Sequence, residues 1–183
     1  SLIFNAKGNP FGQLLAVVFS LMYGGISYTF AYYGEMITYL GMTMPMAVFA
    51  LISWMRNPYN GNKAEVKVNA ISRKETAWMC VGAAAVTAVF YFILTYFHTA
   101  NIVPSTISVT TSFLAVYLTF RRSPYFALAY AANDIVLIVL WTLASAYDIR
   151  YISVVVCFAA FFVNDLYGYI NWQKMKLRQA KAY

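Results

Sequence analysis

Six long apolar stretches dominate this sequence, at residues 11–33, 35–55, 76–98, 102–120, 124–146 and 149–172. Each is close to the roughly 20 residues that a helix needs to cross the hydrocarbon core of a bilayer. A water-soluble domain of 183 residues has no interior large enough to hold them all. Composition agrees: 62% of the residues are hydrophobic and 10% charged, against roughly 45–50% and 25% in soluble domains. The same figures exclude disorder, which needs few apolar residues and high charge. Runs such as Ile135-Val136-Leu137-Ile138-Val139-Leu140 do not alternate with polar residues, as the strands of a membrane β-barrel would. The expected fold is an all-α integral membrane protein, a single transmembrane domain over residues 1–183. No basic stretch, short apolar core and small-residue cleavage site open the chain, so no cleavable signal peptide is read.

Charge then gives orientation. The net charge is +7, but a nucleic-acid reading requires a basic patch on a soluble face, and here Lys and Arg lie between apolar runs. Lys and Arg near span ends favour the cytoplasmic side. One set of alternate loops holds Lys7, Arg56, Lys63, Lys67, Arg73, Lys74, Arg121, Arg122, Lys174, Lys176, Arg178 and Lys181; the other holds Arg150 alone. The loop at 56–75 and the C-terminus are therefore expected in the cytoplasm. Trp54, Trp78 and Trp172 fall at the cytoplasmic ends of their spans and read as an interfacial aromatic belt. Cys80 and Cys157 sit inside apolar runs and read as small buried hydrophobes rather than a disulfide framework or metal site.

An internal echo relates the two ends of the chain. Asn9-Pro10-Phe11 matches Ser123-Pro124-Tyr125, at an offset of 114 residues, and each is followed by a span, a short acidic turn (Glu35, Asp148) and a second span. Trp54 and Trp172 close the two copies, at an offset of 118. Both copies run outward and back, so the repeat is parallel, a known transporter plan. The second copy has three spans and the first has two, with 76–98 between them as a linker. A 3+1+3 plan follows as the expectation: two three-helix bundles joined by a linker helix. Its first helix is expected to be missing from this chain, which starts at Ser1 without Met, so that six spans are present and residues 1–5 end the absent one.

Ionisable residues inside a span default to a functional role. Asp134 and Asp165 are the two acids within spans, and each follows an asparagine, Asn133 and Asn164. Counted from Pro124 and from Trp172 at about 1.5 Å per residue, the two asparagines lie about 13 and 12 Å deep. Two polar dipeptides thus share a level near the midplane, where transporter sites lie. Neighbouring helical residues point about 100° apart, so Asn and Asp of a pair do not face one point. The asparagines are read as ligand contacts; helix–helix hydrogen bonding is the competing reading. Candidate site residues are Asn133, Asn164, Asp134, Asp165, Tyr167, Tyr23, Tyr28, Thr110 and Trp141. The tyrosines offer ring faces for stacking or for a cation. Thr110 belongs to a hydroxyl-rich span, and Trp141 lies deep, open to packing or ligand roles. Pro45 and Gly24-Gly25 mark mid-span sites for a kink or close helix approach.

Enzyme chemistry finds no support: His98 is the sole histidine, at an outer span end, and no zinc, nucleophile-elbow or phosphate-loop motif is present. No metal site and no cofactor is expected.

Ser53-Trp54 before a basic loop, Arg122-Ser123-Pro124-Tyr125 leading to Asn133-Asp134, and Asn164-Asp165-Leu166-Tyr167-Gly168-Tyr169-Ile170-Asn171-Trp172 together resemble the PnuC-type nicotinamide riboside (vitamin B3) transporters of bacteria. The family's Tyr-Gly ending is replaced by Phe49-Ala50 in the first half. The resemblance implies a SWEET-like pair of bundles, often a homotrimer, in the bacterial inner membrane. It implies uptake of nicotinamide riboside by facilitated diffusion with alternating access. Nicotinamide riboside and the lipid bilayer are the partners so implied. Carriers of thiamine, riboflavin or a deoxynucleoside, a proton-coupled carrier using Asp134 or Asp165, and a non-transporting membrane scaffold or receptor are the alternatives.

Overall fold

The computed structural model describes residues 1–29, 33–99 and 101–181. The first outer turn, expected at Gly34-Glu35, lies at the edge of a gap: residues 30–32 fall outside the described residues, as does the Glu35 side chain. Eight α-helices and one small hairpin make up the described structure. They are α1 (Leu2–Ala6), α2 (Phe11–Thr29), α3 (Tyr33–Thr38), α4 (Met44–Met55), the strands β1 (Pro58–Tyr59) and β2 (Asn62–Val66), α5 (Arg73–Tyr96), α6 (Ile102–Phe120), α7 (Phe126–Ser145) and α8 (Ile152–Lys181). Among the described residues five segments are long and apolar enough to cross a membrane: Met36–Arg56, Arg73–Tyr96, Ile102–Phe120, Phe126–Ser145 and Ile149–Lys181; the apolar stretch of α2, Phe11–Ile26, is shorter.

Local chemistry sets the element ends. Ser72 caps α5 by accepting from the Glu75 amide, the Ser-x-x-Glu arrangement of a capping box. Asn60 and Gly61 both take positive φ, as the two-residue turn of a tight hairpin requires, and join β1 to β2. The α3–α4 span is continuous through a π turn, Tyr39–Thr43, just before Pro45. Proline has no amide proton to give back to the preceding turn, and a widened turn absorbs that break. At the same level Gly24 of α2 meets Leu40: a Cβ there would stand 2.5 Å from the leucine side chain, whereas one on Gly25 would meet nothing. The last helix exceeds the expected span by running on to Lys181. Its basic end is held by the hairpin, where Gln179 donates to the Val66 carbonyl and accepts from the Val68 amide, and Arg178 pairs with Glu65.

The internal echo reappears as matched hydrogen bonds. Ser53 donates to the Phe120 carbonyl (2.9 Å) and Trp54 Nε1 to that of Thr119 (2.8 Å). In the other copy Asn171 donates to the Ala6 carbonyl (2.7 Å) and Trp172 Nε1 to that of Asn5 (2.9 Å). Donors are 118 residues apart and acceptors 114. Gly8 and Arg122, again 114 apart, both have positive φ, at 68° and 57°. The two halves of the chain thus grip each other: α4 holds the end of α6, and α8 holds α1. Trp54 and Trp172 meet in the middle, with ring centroids 5.3 Å apart and neither exposed at all. This corrects the reading of these two as interfacial belt residues. Depth along the chain placed them at a span end, but their faces point at each other, and each indole N–H has found a backbone carbonyl. Trp78, 74% exposed, has the exposure that a belt residue would have.

Val66, Met79, Leu118, Phe126, Ala127 and Met175 pack around the tryptophan pair. A second cluster of Met42, Phe90, Leu94 and Val109 ties the π turn to α5 and α6.

Candidate functional site

The 100° step between adjacent helical residues decides what the two Asn-Asp pairs do. On α7, Asn133 turns toward α6: its Oδ1 accepts from Thr111 (2.7 Å) and Ser112 (3.2 Å). These are helix-bridging bonds, formed by the hydroxyl-rich face of α6. Asp134 turns instead toward α8, where it meets Asp165. The acids are 4% and 7% exposed. Among the described residues neither has an ion-pair partner, and Asp134 Oδ2 is buried with no hydrogen bond. Asn164 lies beside them, its amide nitrogen 3.3 Å from Asp165 Oδ1.

One turn before Asp134 on the same face of α7 is Tyr130, whose hydroxyl meets Thr119 of α6. Both border a small cavity, about 40 Å³, also walled by Asn5, Gln13 and Thr43. It lies between the two halves of the chain, since Asn5, Gln13 and Thr43 come before α5 and Thr119 and Tyr130 after it. Gln13 is buried and donates to Asn5 Oδ1 at 2.9 Å. Two turns further along α2, Ser20 is buried with an unpartnered hydroxyl. A cavity this small holds water-sized guests only, because ligand sites run to roughly 300–1,000 Å³. The polar interior is therefore closed around itself in this arrangement.

The other candidates do not converge on it. Thr110 shares a 2.7 Å hydrogen bond with Thr87 of α5, on the opposite side of α6. Tyr23 packs its ring on Phe19 and Tyr39, beside the π turn. Trp141 stacks near Tyr151 at 5.3 Å, by the α7–α8 turn. Tyr28 and Tyr167 are mostly exposed on the outer surface. The structure thus gathers Asp134, Asp165 and Asn164, holds Asn133 one face away, and adds Asn5, Gln13, Thr119 and Tyr130. Gln13 carried a sequence signal that went unread, since it is the one glutamine inside an apolar stretch. The others had none that one helix alone could give.

The acid of the α7–α8 turn has a local task. Asp148 accepts from the Arg150 amide (3.0 Å) and from its guanidinium, which hold its carboxyl below the usual carboxylate range. It caps the turn of Ile149–Tyr151 rather than facing the interior. Among the described residues no group of His, Cys, Asp and Glu is arranged to hold a metal ion.

Comparison with known proteins gives three findings. Residues 1–174 match the nicotinamide mononucleotide transporter family. The nicotinamide riboside transporter PnuC of Neisseria mucosa is 28% identical over 185 residues, which cover 97% of this chain and 69% of that protein. The crystal structure of the vitamin B3 transporter PnuC superposes with a TM-score of 0.77 at 24% identity, over 97% of this chain and 78% of that one, a likeness of fold.

Proposed function

The chain belongs to the nicotinamide mononucleotide transporter family, a family of membrane transporters rather than enzymes, and we propose that its cargo is nicotinamide riboside. The observation that carries this reading is the polar band between the two halves of the chain: buried Gln13, Asp134 and Asp165 with half-buried Tyr130, in a membrane-spanning chain whose Lys and Arg stay at the span ends. Amides and hydroxyls suit a carboxamide and ribose, and buried acids suit a pyridinium cation. Asn164 adjoins the acids directly. Asn133 contributes by exchanging its bonds to Thr111 and Ser112 for ligand. Tyr23, Tyr28, Tyr167, Thr110 and Trp141 line the route rather than the centre.

In this reading the molecule has two bundles with α5 as the linker, and α2 is a sixth span. The basic loop 56–75 and the C-terminus face the cytoplasm of a bacterial inner membrane, and three copies associate. Transport is facilitated diffusion, with one bundle rocking against the other about the central site. Rocking enlarges the closed 40 Å³ cavity to the size of a nucleoside.

The test is calorimetry in detergent with nicotinamide riboside, thiamine, riboflavin and nucleosides. Nicotinamide riboside binds, and Asn164→Ala, Asn133→Ala and Gln13→Ala each weaken it by about tenfold or more while the melting temperature holds. Unchanged affinity in all three removes the site, and preference for another vitamin removes the cargo.

A further inference from the structure

Away from the polar band, α5 and α6 enclose an open groove of about 710 Å³. Its α5 wall is built from small side chains, Cys80, Ala84, Thr87 and Ala88, and ends on Tyr91 and Phe92. Its threonine hydroxyls already donate to backbone carbonyls, Thr87 to Ala83, Thr106 to Ile102 and Thr110 to Thr106. The rest of the wall between Cys80 and Tyr91 is apolar, so the groove takes hydrocarbon. From Cys80 to Phe92 it runs about 18 Å along α5, close to the roughly 15 Å of one leaflet's hydrocarbon.

One end of the groove carries positive charge. Arg73 lies seven residues before Cys80, hence on the same face of α5 and about 10 Å beyond it. Lys74 flanks it. Glu75, the acid of that turn, is already taken by Arg121, and among the described residues neither Arg73 nor Lys74 has an ion-pair partner. Both are exposed, with the exposed Trp78 one turn further on. An apolar trough whose near end, at Cys80, lies about 10 Å from two unneutralised cations at the start of α5 matches an amphiphile with an anionic head.

We propose that the α5–α6 groove is a binding site for an anionic phospholipid, with one acyl chain lying along Ala84 and Ala88 and the phosphate held by Arg73 and Lys74. The site is independent of the cargo. Its strength depends on both parts, the trough for chain burial and the pair of cations for head-group choice.

Native mass spectrometry of the purified protein, incubated with equal phosphatidylglycerol and phosphatidylcholine of the same chains, tests it. The wild type retains phosphatidylglycerol in preference. The doubly neutral Arg73→Gln/Lys74→Gln variant loses that preference by roughly tenfold but still binds lipid. Ala84→Phe fills the trough and loses both lipids, with its melting temperature in lipid-free detergent unchanged as the check on folding. An unchanged head-group ratio in the Gln variant overturns the proposal. So does oxidative cross-linking of Cys80 to Cys80 between copies in native membranes, in a Cys157→Ser background, since a second copy would then fill the groove.

Discussion

Replacing Trp54 by Phe keeps a ring against Trp172 and removes one indole hydrogen bond to Thr119. The expected loss is about 1 kcal/mol, the usual net worth of a hydrogen bond. Trp54→Ala also empties a fully buried ring site and should lose about 3–5 kcal/mol. Trp172, its counterpart, should respond alike in thermal melts, because its indole meets the equivalent carbonyl on Asn5. At the far turn, the Arg150 bonds favour ionised Asp148. A carboxylate with a lowered folded-state pKa stabilises the fold above its unfolded pKa and loses that effect as pH falls through the folded one. Exposure and salt keep the effect small. Carboxyl NMR should place the Asp148 midpoint below about 3.9, the free value, and Arg150→Ala should move it back up.

Elements depend on where small residues sit. Gly24 lies against Leu40 with no space for a Cβ, whereas Gly25 faces open space. Gly24→Val should therefore destabilise by about 1–3 kcal/mol through overpacking, Gly25→Val should be nearly neutral, and Leu40→Ala should recover part of the Gly24→Val loss; chemical denaturation in detergent distinguishes them. The flanking π turn follows from Pro45, which was readable as a kink site in the sequence. Ser72 and the Asn60-Gly61 turn were equally readable, because caps and tight turns are decided by a few adjacent residues. Gly24 and Gly25 looked the same in sequence, because only the neighbouring helix distinguishes them.

For the whole molecule, the two-way grip between the halves of the chain is the part that the proposed rocking has to disturb. A disulfide linking Ala6→Cys to Asn171→Cys, where Asn171 now reaches the Ala6 carbonyl at 2.7 Å, should arrest uptake in liposomes and release it on reduction, in a background lacking Cys80 and Cys157. Uninterrupted uptake by the oxidised protein would separate the grip from transport. The membrane-spanning helices, the echo between the two ends and the depth of the Asn-Asp pairs were all set by the chain's own pattern of apolar and polar residues, because a bilayer imposes one length and one solvent on every helix. Azimuth is different. Whether Asn133 met α6 or the interior, whether Trp54 faced lipid or Trp172, and whether Gln13 and Tyr130 shared a cavity depended on how helices rotate against neighbours far away in sequence. Only tertiary packing decides that, because a helix alone carries its periodicity but no partner to point it toward.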